Sequence, residues 1–212
     1  MAIVITRPVG MLGCNMSIIA DPHSKEAVLV DPGGDPQDII EIISTQEFKV
    51  KQILITHAHF DHILACNELE KFTGAEVFYN PSDRQLWLSL PLQCMFVGIS
   101  NPPRIKPPKN TLAHGDALQV RNGRVLHTPG HTQGSICFYF EEDKLICTGD
   151  TLFAGSVGRT DLPGGNTEQL MVSLKEVVLV LPDDTRVIPG HGEETSIGKE
   201  KRENPFINGE FR

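Results

Sequence analysis

The 212-residue sequence has no excess of positive charge and no long apolar run. Its 19 lysine and arginine residues are outnumbered by 27 aspartate and glutamate residues, which gives a formal net charge of −8. An acidic balance argues against binding to DNA or RNA, because their phosphates attract basic surfaces. A membrane-spanning helix needs about 18 or more consecutive apolar residues, and the sequence has no such run. We therefore expect neither a nucleic-acid partner nor a membrane partner.

Signals for export and for disulfide formation are also missing. Residues 1–10 contain no basic segment followed by a long apolar segment and a cleavage site. The cysteines are odd in number, have no Cys-x-x-Cys spacing and stand among apolar neighbours: Cys14, Cys66, Cys94, Cys137 and Cys147. These features predict reduced cysteines in the core of a cytoplasmic protein.

The composition is that of a globular protein. Hydrophobic residues make up 40 % of the chain and charged residues 22 %, an ordinary balance for a protein that buries a core. No internal repeat or low-complexity linker interrupts the sequence, and its length suits one sizeable domain. The prediction is a single domain over residues 1–212.

The first half of the chain alternates short β-branched runs with apolar helical stripes. The predicted strands cover residues 3–5, 17–20, 27–30, 52–55 and 75–79, and the predicted helices begin after Asp35 and near Ile63. Asp35 is expected to cap the first helix, and Pro36 suits its first position.

In the second half, strands are predicted over residues 117–120, 124–127, 135–141, 144–147 and 186–188, with helices after Asn166 and over residues 196–204. Between the halves, residues 90–109 contain five prolines and are predicted to form a long surface loop with room for one helical turn. Strands in both halves with helices outside them predict a layered α/β fold in which two sheets pack face to face.

The densest cluster of reactive side chains is His57-Ala58-His59-Phe60-Asp61-His62. Alternate residues of an extended segment point to the same side, so His57 and His59 could bind one metal ion. Asp61 and His62 fall at the following turn, where they are free to face a second ion. The alternative is a purely structural role, but three imidazoles and a carboxylate in six residues are an unusual way to build a solvated loop.

Three further candidate ligands lie at the ends of predicted strands. His131 stands beside a glycine after the strand that ends at His127, Asp150 ends an apolar strand, and His191 follows the last strand. Each alone is a weak signal, but with the first cluster they supply seven nitrogen and oxygen donors and no thiolate. Such a set suits a catalytic site for two ions of zinc, manganese or iron better than a closed structural site.

Together these motifs resemble the signature of the metallo-β-lactamase superfamily. The motifs are Thr56-His57-Ala58-His59-Phe60-Asp61-His62, Thr128-Pro129-Gly130-His131-Thr132, Gly149-Asp150-Thr151-Leu152-Phe153 and Pro189-Gly190-His191, in that family's order. The resemblance covers nearly the whole chain and implies an αββα sandwich with the site at one edge between the sheets. It also implies one metal on His57, His59 and His131, another on Asp61, His62 and His191, and Asp150 as the bridge.

Within that superfamily, the sequence resembles the short glyoxalase II-like hydrolases. The segments that carry this resemblance are Gly158-Arg159-Thr160-Asp161-Leu162-Pro163-Gly164-Gly165-Asn166, Pro189-Gly190-His191-Gly192 and Glu203-Asn204-Pro205-Phe206. It implies a hydroxyacylglutathione thioesterase, with a small-molecule glutathione thioester such as S-lactoylglutathione as the substrate. The implied cofactors are two divalent ions, with zinc as the first candidate and iron or manganese as the others.

Individual side chains suggest further roles. Asp61 is predicted to be a ligand and also the catalytic residue that orients the nucleophile or accepts its proton. Asp31, at the end of a strand, is either a partner that orients a ligand histidine or a turn-forming residue. His127 is expected to be a core residue or a partner of a ligand rather than a ligand itself.

An anionic substrate needs cationic side chains, and the candidates are Arg159, Lys199, Lys201 and Arg202. The last three have the alternative of a solvated helix face. Arg159 has the alternative of a loop-stabilising pair with Asp161.

Two other functional classes compete with the thioesterase. The first is a persulfide dioxygenase, which shares the 158–161 type of segment and uses a single iron with fewer of these ligands. Gly192 favours the hydrolase, because an aspartate is expected after that histidine in the dioxygenases. The second is a catalytically silent binding protein, against which the full ligand set argues. A secreted lactamase is disfavoured by the lack of an export signal, and a nuclease by the acidic balance.

Overall fold

The first sheet is built from the N-terminal half of the chain in the computed structural model, which describes residues 1–209. Its strands, in spatial order, are β1 (Ile3–Val9), β2 (Cys14–Ala20), β3 (Glu26–Val30), β4 (Lys49–Leu54), β5 (Glu76–Tyr79) and β6 (Asn110–Thr111). The first three strands pair antiparallel, and β3 to β6 pair parallel. The last three residues of the predicted domain, 210–212, lie outside the described residues.

The second sheet comes from the C-terminal half. Its strands, in chain order, are β7 (Arg124–His127), β8 (Ile136–Phe140), β9 (Leu145–Gly149), β12 (Arg186–Pro189) and β13 (Thr195–Ser196), with a short hairpin of β10 (Leu152–Phe153) and β11 (Ser156–Val157) beside them. The spatial order is β13-β12-β9-β8-β7. The β9–β12 pair is parallel, so the carboxyl ends of these two strands meet at one edge of the sheet.

Eight α-helices connect or flank the sheets in the described part of the chain. They are α1 (Pro36–Thr45), α2 (Phe60–Ile63), α3 (Cys66–Thr73), α4 (Arg84–Leu88), α5 (Leu90–Phe96), α6 (Thr167–Ser173), α7 (Ile197–Glu203) and α8 (Pro205–Asn208). A π-helical turn, Leu174–Val178, continues α6. Among the residues described, no helix has the length and apolar character needed to cross a bilayer.

The two sheets pack face to face over an apolar core. Val28 and Leu54 of the first sheet and Phe138 and Ile188 of the second are almost fully buried in it. Two more apolar clusters lie on the outer faces, one under α1, α3 and α5 and the other under α6 and α7. The layers therefore follow the order helix, sheet, sheet, helix, and the predicted αββα sandwich is confirmed.

The loop predicted over residues 90–109 is wrong in its first third. Residues Leu90–Phe96 form α5, and Leu90 and Cys94 are buried. Pro91 does not interrupt this helix, because it lies in the first turn, where backbone N–H groups have no partner within the helix. Residues 97–109 have no regular secondary structure, as predicted.

The strand predicted over residues 117–120 is also wrong. This segment makes a single bridge, between Ala117 and Arg124. The N–H of Gln119 donates to the side chain of Gln52 at 2.8 Å instead of to a neighbouring strand. Burial of alternate apolar side chains therefore gave a strand-like pattern without strand pairing.

Two helix starts differ from the prediction. Asp35 precedes α1 with a left-handed backbone (φ 46°), and its carboxylate accepts from the N–H of Gly10 at 2.8 Å rather than capping the helix. The helix expected near Ile63 begins earlier, at Phe60, and is broken before α3 begins at Cys66. The earlier start places part of the reactive cluster on the short helix α2.

Candidate metal centre

The first reactive cluster lies where β4 leads into α2. The backbone of His59 is extended (φ −71°, ψ 148°), and α2 begins at the next residue. His57 and His59 therefore precede the helix, while Asp61 and His62 lie in its first turn. This is the division between extended segment and turn that the sequence predicts.

The other three predicted ligands come from the second sheet. His131 lies in the loop between β7 and β8, Asp150 directly follows β9, and His191 follows β12. Pro189 of β12 pairs with Gly149 of β9. Because the two strands are parallel neighbours, their ends bring Asp150 and His191 to the same edge of the sheet.

The structure brings His57, His59 and His131 together in a group whose ring nitrogens lie within 4.8 Å of one another. Nδ1 of His59 is 3.0 Å from Nε2 of His131. A zinc–nitrogen bond is about 2.0–2.1 Å long, so two nitrogens bound to one ion lie at most about 4.2 Å apart. The 3.0 Å separation of the His59 and His131 nitrogens is within this limit. We call these three residues the first trio.

The second trio consists of Asp61, His62 and His191. Nε2 of His191 is 3.1 Å from Oδ2 of Asp61, and Nε2 of His62 is 3.7 Å from the same oxygen. Asp150 lies between the trios. Its Oδ1 is 3.6 Å from Nε2 of His62, and its Oδ2 is 3.6 Å from Nε2 of His131. The two carboxylate oxygens of Asp150 thus face different trios, so Asp150 could contact an ion held by either trio.

Hydrogen bonds on the outer side of the histidines fix which ring nitrogen faces the centre. Nδ1 of His62 is 2.9 Å from Oδ2 of Asp31, which favours the first of the two roles considered for Asp31, that of a partner to a histidine of the cluster. Nδ1 of His131 donates to the backbone carbonyl of Arg159 at 2.7 Å, and Nδ1 of His191 donates to that of Leu12 at 3.2 Å. An imidazole that donates from Nδ1 keeps the Nε2 lone pair for a metal.

Buried atoms without partners test whether a metal suits this centre. Nε2 of His57, Nε2 of His62 and Oδ1 of Asp150 are buried and accept or donate no hydrogen bond. Unpaired buried polar atoms are rare and costly, and here three of them converge on one point. A Cβ on Gly190 would lie 2.2 Å from Oδ1 of Asp150, so only glycine leaves room for that oxygen. These residues fit divalent metal ions.

The electrostatics of His57, His59 and Asp61 also suit metal binding. Burial, followed by the neighbouring imidazoles, holds the pKa of His57 well below 6.5, and burial followed by His131 lowers that of His59 to about 3. Burial alone would raise the pKa of Asp61, but His62 and the hydrogen bond with His191 lower it to about 2. At neutral pH the trios therefore offer neutral imidazoles at His57 and His59 and an ionised carboxylate at Asp61.

One side of the centre is open. The side chains of His57, His62 and His131 are buried, whereas those of Asp150 and His191 are 15 % and 27 % exposed. A substrate can therefore approach over Asp150 and His191, with the buried histidines beneath.

Asp83 and Gln93 contact the loops of the first trio, and sequence reasoning missed both. The carboxylate of Asp83 accepts from the N–H groups of Ala58 and Gly134, at 3.0 and 2.7 Å. Oε1 of Gln93 accepts from the N–H of Phe60 at 2.9 Å. Gln93 falls in the segment predicted to be loop, and Asp83 follows a strand without a histidine nearby, so neither carried a local signal.

Two of the cations predicted to contact substrate are paired with carboxylates. Arg159 makes a bidentate ion pair with Asp161, at 2.8 Å for each N–H···O contact, which is the loop pair considered as its alternative. Lys201 donates to Asp183 at 2.6 Å. Lys199 and Arg202 lie on α7, and their contact with substrate remains a prediction. Nε2 of His127 is 3.0 Å from the carbonyl of Gln133, which agrees with a role outside the ligand set.

The chain is similar to known proteins over almost its full length. Hydroxyacylglutathione hydrolase GloC of Haemophilus influenzae is 40 % identical over 204 residues, which cover 95 % of this chain and 96 % of that protein. Among solved structures, BLEG-1 B3 metallo-beta-lactamase is 34 % identical, with a TM-score of 0.90 and coverage of 97 % of this chain and 99 % of that chain.

Two further solved structures are similar to almost the whole chain, and one of them contains two iron ions. TTHA1623 in a di-iron-bound form is 38 % identical, with a TM-score of 0.84 and coverage of 96 % of this chain and 99 % of that chain. ETHE1 from Myxococcus xanthus is 30 % identical, with a TM-score of 0.78 and coverage of 98 % and 85 %. Residues 9–191 match the family model of the metallo-beta-lactamase superfamily. The chain therefore belongs to the metallo-beta-lactamase superfamily and is a metal-dependent hydrolase of that fold.

Proposed function

We propose that this hydrolase is a thioesterase that cleaves hydroxyacylglutathione at a dinuclear metal centre. The observation that carries the proposal is the second trio: Nε2 of His62 is buried without a partner and faces Asp61 and Asp150. A single ion on the first trio would leave Nε2 of His62 buried without a partner. The overall likeness to GloC over almost the full length of both chains supports the substrate class.

The proposed ligands are His57, His59 and His131 for one ion and Asp61, His62 and His191 for the other, with Asp150 between. When bound, two divalent ions lower the pKa of a water molecule and polarise a carbonyl oxygen. Zinc is the first candidate, and the di-iron form of TTHA1623 supports iron as the alternative.

The side chains of the centre have separate tasks in this proposal. Asp61 stays ionised because its pKa is lowered to about 2, so it can accept a hydrogen bond from the attacking water and orient it. The backbone carbonyls of Leu12 and Arg159 hold the rings of His191 and His131 in one orientation. The net reaction adds water to the thioester carbonyl and breaks the C–S bond, and the products are a hydroxy acid and a thiol. The thiolate is a good leaving group, so the site needs little acid catalysis on that side.

We further propose Arg159, Lys199 and Arg202 as contacts for the carboxylates of glutathione. Arg159 is the strongest of these candidates, because its own backbone carbonyl contacts His131 and its guanidinium lies in the same loop. The substitution Arg159→Ala is expected to raise KM about tenfold with a smaller change in kcat, the pattern of lost ground-state binding. Arg186→Ala is the matched control, because Arg186 is also exposed and also makes a bidentate pair, with Glu194.

The first test is a pair of assays on the metal-loaded protein. Hydrolysis of S-lactoylglutathione is followed by thiol release, and oxygen uptake is followed with glutathione persulfide. Thioester turnover that disappears in Asp61→Asn, without oxygen uptake, supports the proposal. Oxygen uptake without thioester turnover overturns it. The unpaired, buried cysteines agree with our further proposal that the protein works in the reducing cytoplasm.

The second candidate function is an iron-dependent persulfide dioxygenase. The likeness to ETHE1 leaves this alternative open. It requires one iron per chain and predicts that substitution of Asp61 or His62 leaves metal binding intact. Metal analysis of these two variants therefore separates the two functions without an activity assay.

A further inference from the structure

Asp83 is a buried carboxylate that is not among the proposed ligands. It ends the 3₁₀ turn after β5 and is 3 % exposed. A carboxylate is rarely buried unless it is paired or fully hydrogen-bonded. Burial raises the pKa of Asp83, and the donors from Ala58, Thr132 and Gly134 act in the opposite direction. The buried carboxylate of Asp83 is therefore stabilised by the groups that donate to it.

The first of these groups belongs to the peptide between two proposed ligands. The N–H of Ala58, the residue between His57 and His59, donates to Oδ2 of Asp83 at 3.0 Å. The carbonyl of Ala58 accepts from Nε2 of Gln93 at 3.2 Å. Both polar groups of this one residue are thus held by side chains from outside the loop.

The other donors to Asp83 come from the loop that carries His131. The hydroxyl of Thr132 donates to Oδ2 at 2.8 Å, and the N–H of Gly134 donates to Oδ1 at 2.7 Å. A Cβ on Gly134 would lie 2.6–2.7 Å from atoms of Asp83, so the loop approaches the carboxylate as closely as its backbone allows. One carboxylate is therefore bonded to both loops that supply the first trio.

We propose that Asp83 is the positioning residue of the first trio. By accepting from Ala58 on one loop and from Thr132 and Gly134 on the other, it fixes the separation of the loops that bring Nδ1 of His59 to 3.0 Å from Nε2 of His131. The hydrogen bonds of Asp83 reach the first trio through these two loops, by two backbone N–H groups and the hydroxyl of Thr132. The inference rests on the proposed ligand set of the centre.

The substitution Asp83→Asn tests this role with little change in shape. Oδ1 faces the N–H of Gly134, and Oδ2 faces the N–H of Ala58. Whichever way the new amide turns, its NH₂ group meets one of these N–H donors, so one loop must move. Thr132→Val is the second variant, because it removes one contact to the His131 loop and leaves Asp83 in place.

Glu200→Gln is the matched control. Glu200 is a carboxylate that is 1 % exposed. It likewise accepts from a backbone N–H, a hydroxyl and a third donor, on Gly155, Thr195 and Asn204. The substitution Glu200→Gln tests how much stability the protein loses when a buried carboxylate elsewhere is disturbed. Thermal unfolding of the wild type and the three variants measures that loss.

The decisive readouts are the affinity of each metal, measured by chelator competition, and the visible spectrum of the cobalt-substituted protein. We expect Asp83→Asn to weaken the metal of the first trio by about 10–100-fold and to alter the cobalt spectrum, with the second metal less affected. Thr132→Val is expected to show a smaller change of the same kind in metal affinity and cobalt spectrum. Glu200→Gln is expected to bind both metals with wild-type affinity.

Two results overturn the role of Asp83. One is unchanged affinity and spectrum in Asp83→Asn and Thr132→Val. The other is an equal loss of metal in Glu200→Gln. If Asp83→Asn does not fold, Thr132→Val decides the question. A wild-type protein that binds metal on the first trio but shows no thioester turnover refutes the proposed substrate and leaves the role of Asp83 testable.

Discussion

Nδ1 of His62 lies 2.9 Å from Oδ2 of Asp31, and this contact turns the other ring nitrogen of His62 toward the metal centre. The same carboxylate accepts from the N–H and the hydroxyl of Thr56, at 2.8 and 2.6 Å. Asp31, directly after β3, therefore connects the strand ends of the first sheet with the second trio. It does so with a left-handed backbone (φ 48°), a conformation that non-glycine residues adopt infrequently.

The substitution Asp31→Ala is expected to weaken the metal of the second trio and to destabilise the fold. It leaves the buried donors of Thr56 and His62 without an acceptor, at a cost of about 1–3 kcal/mol for an unsatisfied group. Loss of the contact that orients His62 should lower metal affinity by about 10–100-fold. Denaturant unfolding and chelator competition measure the two effects. Asp143→Asn alters another buried carboxylate, bonded to Arg121 and far along the chain, and should leave metal affinity unchanged.

Removal of His191 should reduce the metal content from two ions per chain to about one. His191 belongs only to the second trio, so the first trio keeps its ligands in His191→Ala. Elemental analysis and thioester turnover are the measurements, with turnover expected to fall at least about 100-fold because both ions act on one substrate. His127→Ala is the control histidine, because its ring contacts the carbonyl of Gln133 instead of the centre. Two ions retained in His191→Ala would refute the assignment of this histidine.

Gly190 is expected to tolerate no side chain. In Gly190→Ala the new Cβ would lie 2.2 Å from Oδ1 of Asp150 and 2.9 Å from Cε1 of His62, so the proposed bridge must shift. Overpacking of this kind costs about 1–3 kcal/mol, and loss of most metal binding and turnover is expected as well. Gly74→Ala is the control for metal content, because a Cβ there meets open space at the end of α3, and its left-handed backbone (φ 70°) strains an alanine away from the centre. Normal metal content in Gly190→Ala would contradict the placement of Asp150.

Buried, neutral His59 should contribute a loss of stability to the metal-free protein as the pH falls. Its pKa is 6.5 in the unfolded chain and about 3 in the folded protein, so the unfolded state binds more protons between these values. Stability contributed by neutral His59 is therefore present above pH 6.5 and lost as the pH falls below it. The pKa of His191 is raised, chiefly by its hydrogen bond with Asp61, and works in the opposite direction.

A variant comparison isolates the contribution of His59. Relative to the wild type, metal-free His59→Asn should gain on the order of 1 kcal/mol in free energy of unfolding between pH 7 and pH 5. Denaturant unfolding of both proteins across this range measures the difference. A difference that does not change with pH would show that His59 is not held neutral by burial.

The layered fold and the convergence of the reactive side chains could be predicted from sequence because their signals are local. The strands carry β-branched runs, and His57, His59, Asp61 and His62 stand within six residues. The position of Asp31 at a strand end is compatible both with a contact to a histidine and with a turn, and only the structure separates the two. Helix α5 is longer than the single helical turn predicted within residues 90–109, because the five prolines of this segment favour a loop, whereas Pro91 lies in the first turn of the helix.

The groups that orient the histidines could not be predicted, because their signals are not local. The carbonyls of Leu12 and Arg159 belong to the backbone, and no side-chain type marks them. Asp83 is 25 residues from Ala58 and 51 from Gly134 along the chain, and only the folded sheets bring them together. A lone aspartate after a strand is indistinguishable in sequence from a turn residue.

The presence of two metal ions is the central claim, and an anomalous-scattering map of the metal-loaded crystal tests it most directly. We predict two peaks about 3.5–4 Å apart, one among His57, His59 and His131 and the other among Asp61, His62 and His191, with Asp150 between them. A single peak on the first trio, with Asp61 and His62 not bound to metal, would contradict the dinuclear hydrolase and favour the mononuclear dioxygenase.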